Sequence, residues 1–422
     1  MESKKELSVR IIARTKDQAI NEDIREYMEI LSGKAAGVCY MPENYFEICD
    51  TFSKDTSLKR YHATQKSGHN SVQEHGHITF EIQNIPKIVA MVLNSIGVYS
   101  TSEKSARYTK MNPEDETELE LYNKWTEIFK KLVAGYYPDK TEKEVEKLAI
   151  ENARYMISVF TPTSMIYTIS YGECKMIITM INELIYNYTS DKSKFIRYDS
   201  DYKIKFFSRL INELTTFKHK LADAIDGYDD EYKNPKGNKF RFLMNTYIDK
   251  PDDIPLTNIS DSYTLNYECS FACLAQLERH RTIKYGMYFE QDDKYYIPEV
   301  LKNSNLEKEW VVDLMEVKYP QGQMVRVIEQ ATIEDFALKC KERLCSRAQY
   351  EISKQTENSL LQFAAFAEKN LCNYNYKLIN SLCNYVETKT IPYKALAPRC
   401  MIKGYKCNEP CSRGYNGLIR KV

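Results

Sequence analysis

The sequence has no net charge: 59 Lys and Arg are matched by 59 Asp and Glu over 422 residues. A balanced chain has no general field to draw it onto nucleic acid or an anionic membrane, so any anionic ligand must be caught by a few placed groups. Long apolar runs are also missing. The best, MIITMINELI, is flanked by Lys175 and broken by Glu183, and falls well short of the roughly 20 residues that a bilayer span requires. The opening MESKKELSVR lacks the apolar segment of a secretion signal. These absences predict a cytoplasmic protein with neither nucleic acid nor membrane as partner. Histidine is scarce, with only six, and no HExxH pair occurs. In a reducing compartment the twelve cysteines read as free thiols or metal ligands rather than disulfides.

The length exceeds a single ordinary core and predicts two domains of roughly 200 residues. Helical spacing of apolar residues marks ELELYNKWTEIFKKLVAGYY, KEVEKLAIENARYMI and KMIITMINELIYNY. Alternation marks strands at LSVRIIA and at HITFEIQNI from His77. The polar GYDDEYKNPKGNKF reads as a linker over 227–240, between an N-terminal domain 1–226 and a C-terminal domain 241–395, with a cysteine-containing tail 396–422. Beyond the linker, ECSFACLAQLERHR and a long stretch from about Ile333 through Glu368 read as helices. Both halves run from an apolar helix to a polar loop, then to a Pro-containing turn (FTPTS, YPQGQ) and a long helix, a pattern that suggests duplication.

Several clusters carry chemical potential. GHNSVQEHGHITFEI gathers His69, Ser71, Glu74, His75 and His77, which read either as metal ligands or as polar residues capping a strand. VYSTSEKSARYTKM offers Ser100, Ser102, Glu103, Ser105, Arg107 and Tyr108, the groups of a phosphate-holding loop or of a solvated one. If the run into LERHR is helical, Gln276 and Arg279 share a face and can grip one ligand. Arg343, and Arg347 one turn later, read singly as helix-surface charge. In the tail, Cys400, Cys407 and Cys411, completed by Cys383 or Cys372, read either as a structural zinc site or as free thiols.

Together these fragments resemble the flavin-dependent thymidylate synthase (ThyX) family, whose signature RHRxxSxNExSxR is followed by Tyr and accompanied by HxSxxEH, AR and R…AQxEI elements. The signature is divided here between two complementary copies. SIGVYSTSEKSARY keeps Ser100, Glu103, Ser105, Arg107 and Tyr108 but has Ser95, Ile96 and Gly97 for RHR; the same half keeps His69, Ser71, Glu74, His75, Ala153 and Arg154. RHRTIKYGMYFEQ keeps Arg279, His280 and Arg281 but has Lys284, Gly286, Met287, Phe289 and Gln291 elsewhere; it is joined by Gln276 and by Arg343 ahead of Gln349. Ile181 stands opposite Arg343, and Glu316 opposite Arg154. What one half loses the other keeps.

The resemblance implies an α+β fold of two tandem ThyX-like modules, each a mixed or antiparallel sheet with long packed helices, and a homodimer of fused chains. It implies methylation of dUMP to dTMP with FAD, methylenetetrahydrofolate and NADPH. Ser105, Arg107 and Arg154 would hold dUMP from one side, and Gln276, Arg279 and Arg343 from the other, the last two also stabilising developing charge. His69, Ser71, Glu74, Ser102, Glu103, His280 and Arg281 would line the flavin and folate region. The family's flavin-contacting NxR followed by Asn is absent from both halves, which have Ser170, Gly172 and Met176, or Thr332, Glu334 and Leu338. A different C5 modification, such as hydroxymethylation, or a nucleotide-binding protein without catalysis, are the alternatives.

Overall fold

The computed structural model describes residues 6–16, 23–67, 70–95, 98–190, 201–227, 262–288, 294–345 and 348–370. His69, Arg347, linker residues 228–240, Cys372, Cys383 and the tail cysteines Cys400, Cys407 and Cys411 lie outside the described residues. Packing divides the chain into two compact units. One comprises 1–104 and 162–240, the other 105–161 and 241–422. Segment 105–161 thus packs with the second half of the sequence, although it precedes the expected linker.

The first unit carries a four-stranded antiparallel sheet in the order β1-β2-β4-β3, formed by β1 (Ser8–Arg14), β2 (His77–Pro86), β3 (Ser100–Glu103) and β4 (Pro162–Ser170). Alternation in β2 buries Ile78, Phe80 and Ile82 on one face, as the sequence predicts for a half-covered strand. The helices Ile24–Tyr40 and Lys54–Lys66 approach closely at Gly33, where a Cβ would run into the Ser57 carbonyl. Between Ile82 and Ile85 the β2–β4 register shifts, and Asn84 takes φ 56°. Asn tolerates this left-handed conformation better than most residues, and it suits the extra residue of a bulge.

The second unit has a three-stranded antiparallel sheet ordered β5-β7-β6, from β5 (Ser262–Ser270), β6 (Lys284–Tyr288) and β7 (Met324–Thr332). Its apolar cluster draws on both separated segments. Tyr122, Trp125 and Phe129 of helix Glu116–Tyr136 meet Trp310 and Leu314 of helix Leu306–Glu316. The two indoles meet edge to face at 4.7 Å between centroids, the arrangement that the ring quadrupoles favour.

The two sheets repeat one plan. The order β2-β4-β3 recurs as β5-β7-β6. The alignment that places Ser100 with Lys284, and Ser170 with Thr332, also places Thr168 with Gln330. Ser100 pairs Thr168 in the first sheet, and Lys284 pairs Gln330 in the second. Ile85 pairs Thr163 just as Cys269 pairs Val325. A hydroxyl caps the helix at three strand ends: Ser170 accepts from Glu173 N, Ser270 from Cys273 N and Thr332 from Asp335 N. This is the usual way to satisfy donors at a helix start.

Two helix expectations are corrected. ECSFACLAQLERHR begins as the end of β5, and its helix covers only Phe271–Leu277, because Ser270 ends the strand and caps the helix. Arg279 therefore lies beyond that helix and shares no helical face with Gln276. The stretch from Ile333 to Glu368 is two helices, Ile333–Arg343 and Tyr350–Asn370. Leu344 caps the first, and Gln349 falls in the break, its side chain turned onto Arg154 and Gln276.

Candidate active site

The second unit brings together residues from both halves of the divided signature. Arg154 opens a single 3-10 turn, Arg154–Met156, directly after helix Glu142–Ala153. Its buried guanidinium donates to the Ala272 carbonyl at 2.8 Å and to the Gln349 side-chain oxygen. Gln276, on the same short helix as Ala272, donates to that same oxygen. The Gln349 amide nitrogen donates to the Tyr155 hydroxyl at 2.5 Å. Behind Tyr155, the Glu351 carboxylate accepts from the Tyr155 hydroxyl at 2.9 Å, the Ser270 hydroxyl at 2.6 Å and the Ser270 amide at 2.8 Å.

Arg343, at the end of its helix, donates through Nε to His280 Nε2 at 2.7 Å and through a terminal nitrogen to the Gln276 carbonyl at 3.2 Å. Because His280 Nε2 accepts, the neutral ring carries its proton on Nδ1. Burial, reinforced by the charges of Arg343 and Lys339, lowers the His280 pKa from 6.5 to about 2. His280 is therefore neutral at physiological pH. Arg107 Nε donates to Glu151 at 2.8 Å, and the Ser105 hydroxyl accepts from the Arg107 amide at 3.3 Å. Arg279 is half-buried and Arg281 exposed.

The electrostatics of this unit favour an anion. Burial lowers the pKa of Arg154 and of Arg343, and the charge of Arg107 pushes both in the same direction. Burial also acts against the Arg107 charge, but Glu151, with Tyr108 and Tyr155, more than offsets it and its pKa is raised. Arg107 thus repels both other guanidiniums, and a phosphate dianion relieves such repulsion. Arg154 Nε and Gln276 Oε1 are buried without a hydrogen-bond partner among the described residues. An open donor and an open acceptor are costly in a closed interior unless a ligand satisfies them.

The remaining sites expected on the cofactor side lie in the first unit. Ser71 is exposed on the 3-10 turn Asn70–Glu74. Glu74 accepts from the Ser170 hydroxyl. Glu103 accepts from Lys87 at 2.6 Å and from Asn94 at 3.4 Å, while Ser102 points from the opposite, exposed face of β3. At Gly172, where the family has Arg, a Cβ would come within 3.1 Å of Glu74. Two engaged carboxylates and a glycine do not make a cradle for a flavin pyrophosphate, and within this unit these residues do not fit that group. Among the described residues no cluster of three metal-ligating side chains occurs, and no helix is long and apolar enough to cross a membrane.

Sequence reasoning assigned no role to Glu151, Tyr155, Gln349 or Glu351. Gln349 and Glu351 stand in the AQYEI segment of the R…AQxEI element, so their positions were marked. Glu151 and Tyr155 flank Arg154 without any signal of their own.

Comparison with known proteins supports the family resemblance over part of the chain. Residues 24–182 match the family model for thymidylate synthase complementing protein. A flavin-dependent thymidylate synthase of Thermococcus onnurineus is 27% identical over 121 residues, covering 26% of this chain and 47% of the relative. One from Clostridium tetani is 25% identical over 181 residues, covering 37% and 72%. The match thus spans about half the length of the first relative and nearly three quarters of the second. Among solved structures, the Streptomyces cacaoi UMP/dUMP methylase PolB bound with 5-Br dUMP is 16% identical with a TM-score of 0.30, covering 41% of this chain and 77% of the other. Flavin-dependent thymidylate synthase ThyX of Helicobacter pylori, complexed with FAD and dUMP, is 19% identical with a TM-score of 0.29, covering 51% and 93%.

Proposed function

We propose that this chain, whose residues 24–182 match the family model for thymidylate synthase complementing protein, is a fused, two-copy form of a flavin-dependent thymidylate synthase and methylates dUMP to dTMP. In this reading a methylene group passes from methylenetetrahydrofolate to C5 of the uracil ring, and reduced FAD, recharged by NADPH, supplies the hydride. The observation that carries the reading is that Arg154 and Arg343 both donate to carbonyls of the short helix that bears Gln276, at Ala272 and at Gln276, in the unit that also holds Arg107, whose charge reaches both. Arg107 and Arg154 come from the copy that keeps the serine loop, and Arg343 from the copy that keeps RHR.

The chain's own groups bind and orient. Arg107, Arg154 and the Ser105 hydroxyl suit the phosphate, since guanidinium forks and a short hydroxyl bond match its oxygens. Gln276, Arg279 and Arg343 suit the pyrimidine side, where positive charge stabilises the ring as C5 becomes nucleophilic. No cysteine nucleophile is needed. Burial holds the thiols of Cys174, Cys269 and Cys273 above their ordinary pKa, which keeps them protonated and unreactive.

The matching sheet registers support descent from a duplication, and pairs of chains would supply a four-module core. The assignment of FAD rests on the names of the relatives, because the Glu74 and Glu103 surroundings do not fit it. That mismatch favours, as a second reading, a changed C5 modification such as hydroxymethylation. Incubating the protein with dUMP, methylenetetrahydrofolate, FAD and NADPH and weighing the nucleotide by mass spectrometry separates the readings. A methyl product supports the first and a hydroxymethyl product the second; unchanged dUMP and no dUMP binding would sink both.

A further inference from the structure

We propose that Glu351, acting through Tyr155, is a positioning residue that fixes the direction of the Gln349 side-chain amide and so aligns Arg154 and Gln276 for the nucleotide. The inference rests on the reading of these two residues as dUMP ligands. It follows from the direction of hydrogen bonding along one chain of groups inside the second unit.

An amide side chain has an acceptor end and a donor end, and nothing in its shape says which way it turns. Arg154 and Gln276 both present N–H groups to Gln349, so Gln349 serves them only with its oxygen. Its nitrogen must then face the Tyr155 hydroxyl, which has to accept. A hydroxyl that accepts there is free to give its single proton elsewhere, and it gives it to Glu351. An ionised carboxylate accepts and never donates. Glu351 also receives the Ser270 hydroxyl and the Ser270 amide, three donors in all; burial raises its pKa, and these three bonds and the Arg154 charge act the other way, toward the ionised carboxylate. The fixed polarity of Glu351 therefore passes through Tyr155 to Gln349, and from there to two nucleotide ligands drawn from the two halves of the signature.

Replacing Glu351 with Gln removes that polarity with little change in shape. The new amide can give a proton to the Tyr155 hydroxyl, which can then donate to Gln349. Gln349 turns over, and its nitrogen meets the N–H groups of Arg154 and Gln276. Two donors facing a donor repel, and the two ligands lose their common anchor.

The test is a double-mutant cycle on dUMP affinity, measured by calorimetric titration with the full chain, with the thermal melting temperature followed in parallel. Glu351→Gln is expected to weaken dUMP binding about tenfold or more, the effect of losing one to two kcal/mol of charge-assisted bonding. Gln349→Ala is expected to weaken it comparably, and Glu351→Gln should add little in the Gln349→Ala background, because its effect runs through that amide. Should Glu351→Gln fail to fold, Tyr155→Phe cuts the same path at the hydroxyl and should show the same lack of additivity with Gln349→Ala. A merely structural role would lower the melting temperature and leave the effects additive. Wild-type affinity in the single variants, or full additivity in the double, overturns the proposal while leaving the dUMP site standing; a wild-type chain that binds no dUMP overturns both.

Discussion

The Arg154 guanidinium donates to the carbonyl of Ala272 at 2.8 Å across 118 residues of sequence. The bond joins the arginine of one half of the divided signature to the helix that carries Gln276 of the other, within a single polypeptide. A site built on it needs no second chain for these residues. Mixing Arg107→Ala chains with Arg279→Ala chains is therefore expected to restore no dUMP-dependent activity. Each variant alone should lose about thirtyfold or more, the cost of removing a charged partner worth roughly 2–5 kcal/mol. Steady-state assays of the separate and mixed proteins check this, and substantial recovery on mixing would place the site between chains.

Acid should weaken the second unit through His280. Its folded pKa of about 2 lies below its ordinary 6.5, so the unfolded chain takes up this proton first as pH falls. The stabilisation is complete above about pH 6.5 and is lost progressively below it, the loss reaching about 2–3 kcal/mol by about pH 4.5. Urea unfolding from pH 7 to 4.5 should show this slope, and a His280→Gln variant should lose that part of it.

Lys339 and Glu329 form an ion pair with both side chains fully buried, and Glu329 also accepts from Tyr263 at 2.6 Å and from Tyr267. Lys339→Met leaves a buried carboxylate without its cation and is expected to cost about 3–5 kcal/mol. Glu329→Gln combined with Lys339→Met should recover part of that loss. Chemical denaturation of the two variants gives the comparison.

Gly33→Ala should destabilise the first unit, because the added methyl meets backbone at Ser57 rather than a side chain that can swing away. The helices must separate, and overpacking of this kind costs typically about 1–3 kcal/mol. The only two tryptophans of the chain, Trp125 and Trp310, both lie in the second unit. Far-ultraviolet circular dichroism should register the loss in Gly33→Ala, while the tryptophan emission transition should move less.

Much of the fold was legible because it rests on local rules. Alternation in HITFEIQNI marked β2, and periodicity marked helices Glu116–Tyr136 and Glu142–Ala153. The failures came where a polar side chain outweighed periodicity. Ser270 turns an apolar run from strand to helix, and the break before Tyr350 leaves Gln349 free to face inward. Within the site, the motif spacing pointed to Arg107, Arg154, Gln276 and Arg343, which the second unit does gather. Glu103 was marked by the same signature, yet it is occupied by Lys87, a partner that no spacing announces. Glu351 and Tyr155 were invisible for another reason: they act through bonds to groups far away in sequence.

The placement of segment 105–161 with residues 241–422 has a bearing on how such a chain is inherited. A gene shortened after the first half would still encode Trp125 and Phe129, but not the Trp310 and Leu314 that cover them. A gene reduced to its second half would leave Trp310 bare in the same way. A shared core of this kind works as a ratchet: once it has formed, neither half of the sequence can be discarded without stranding the other, and each is held in place by the other's need for cover.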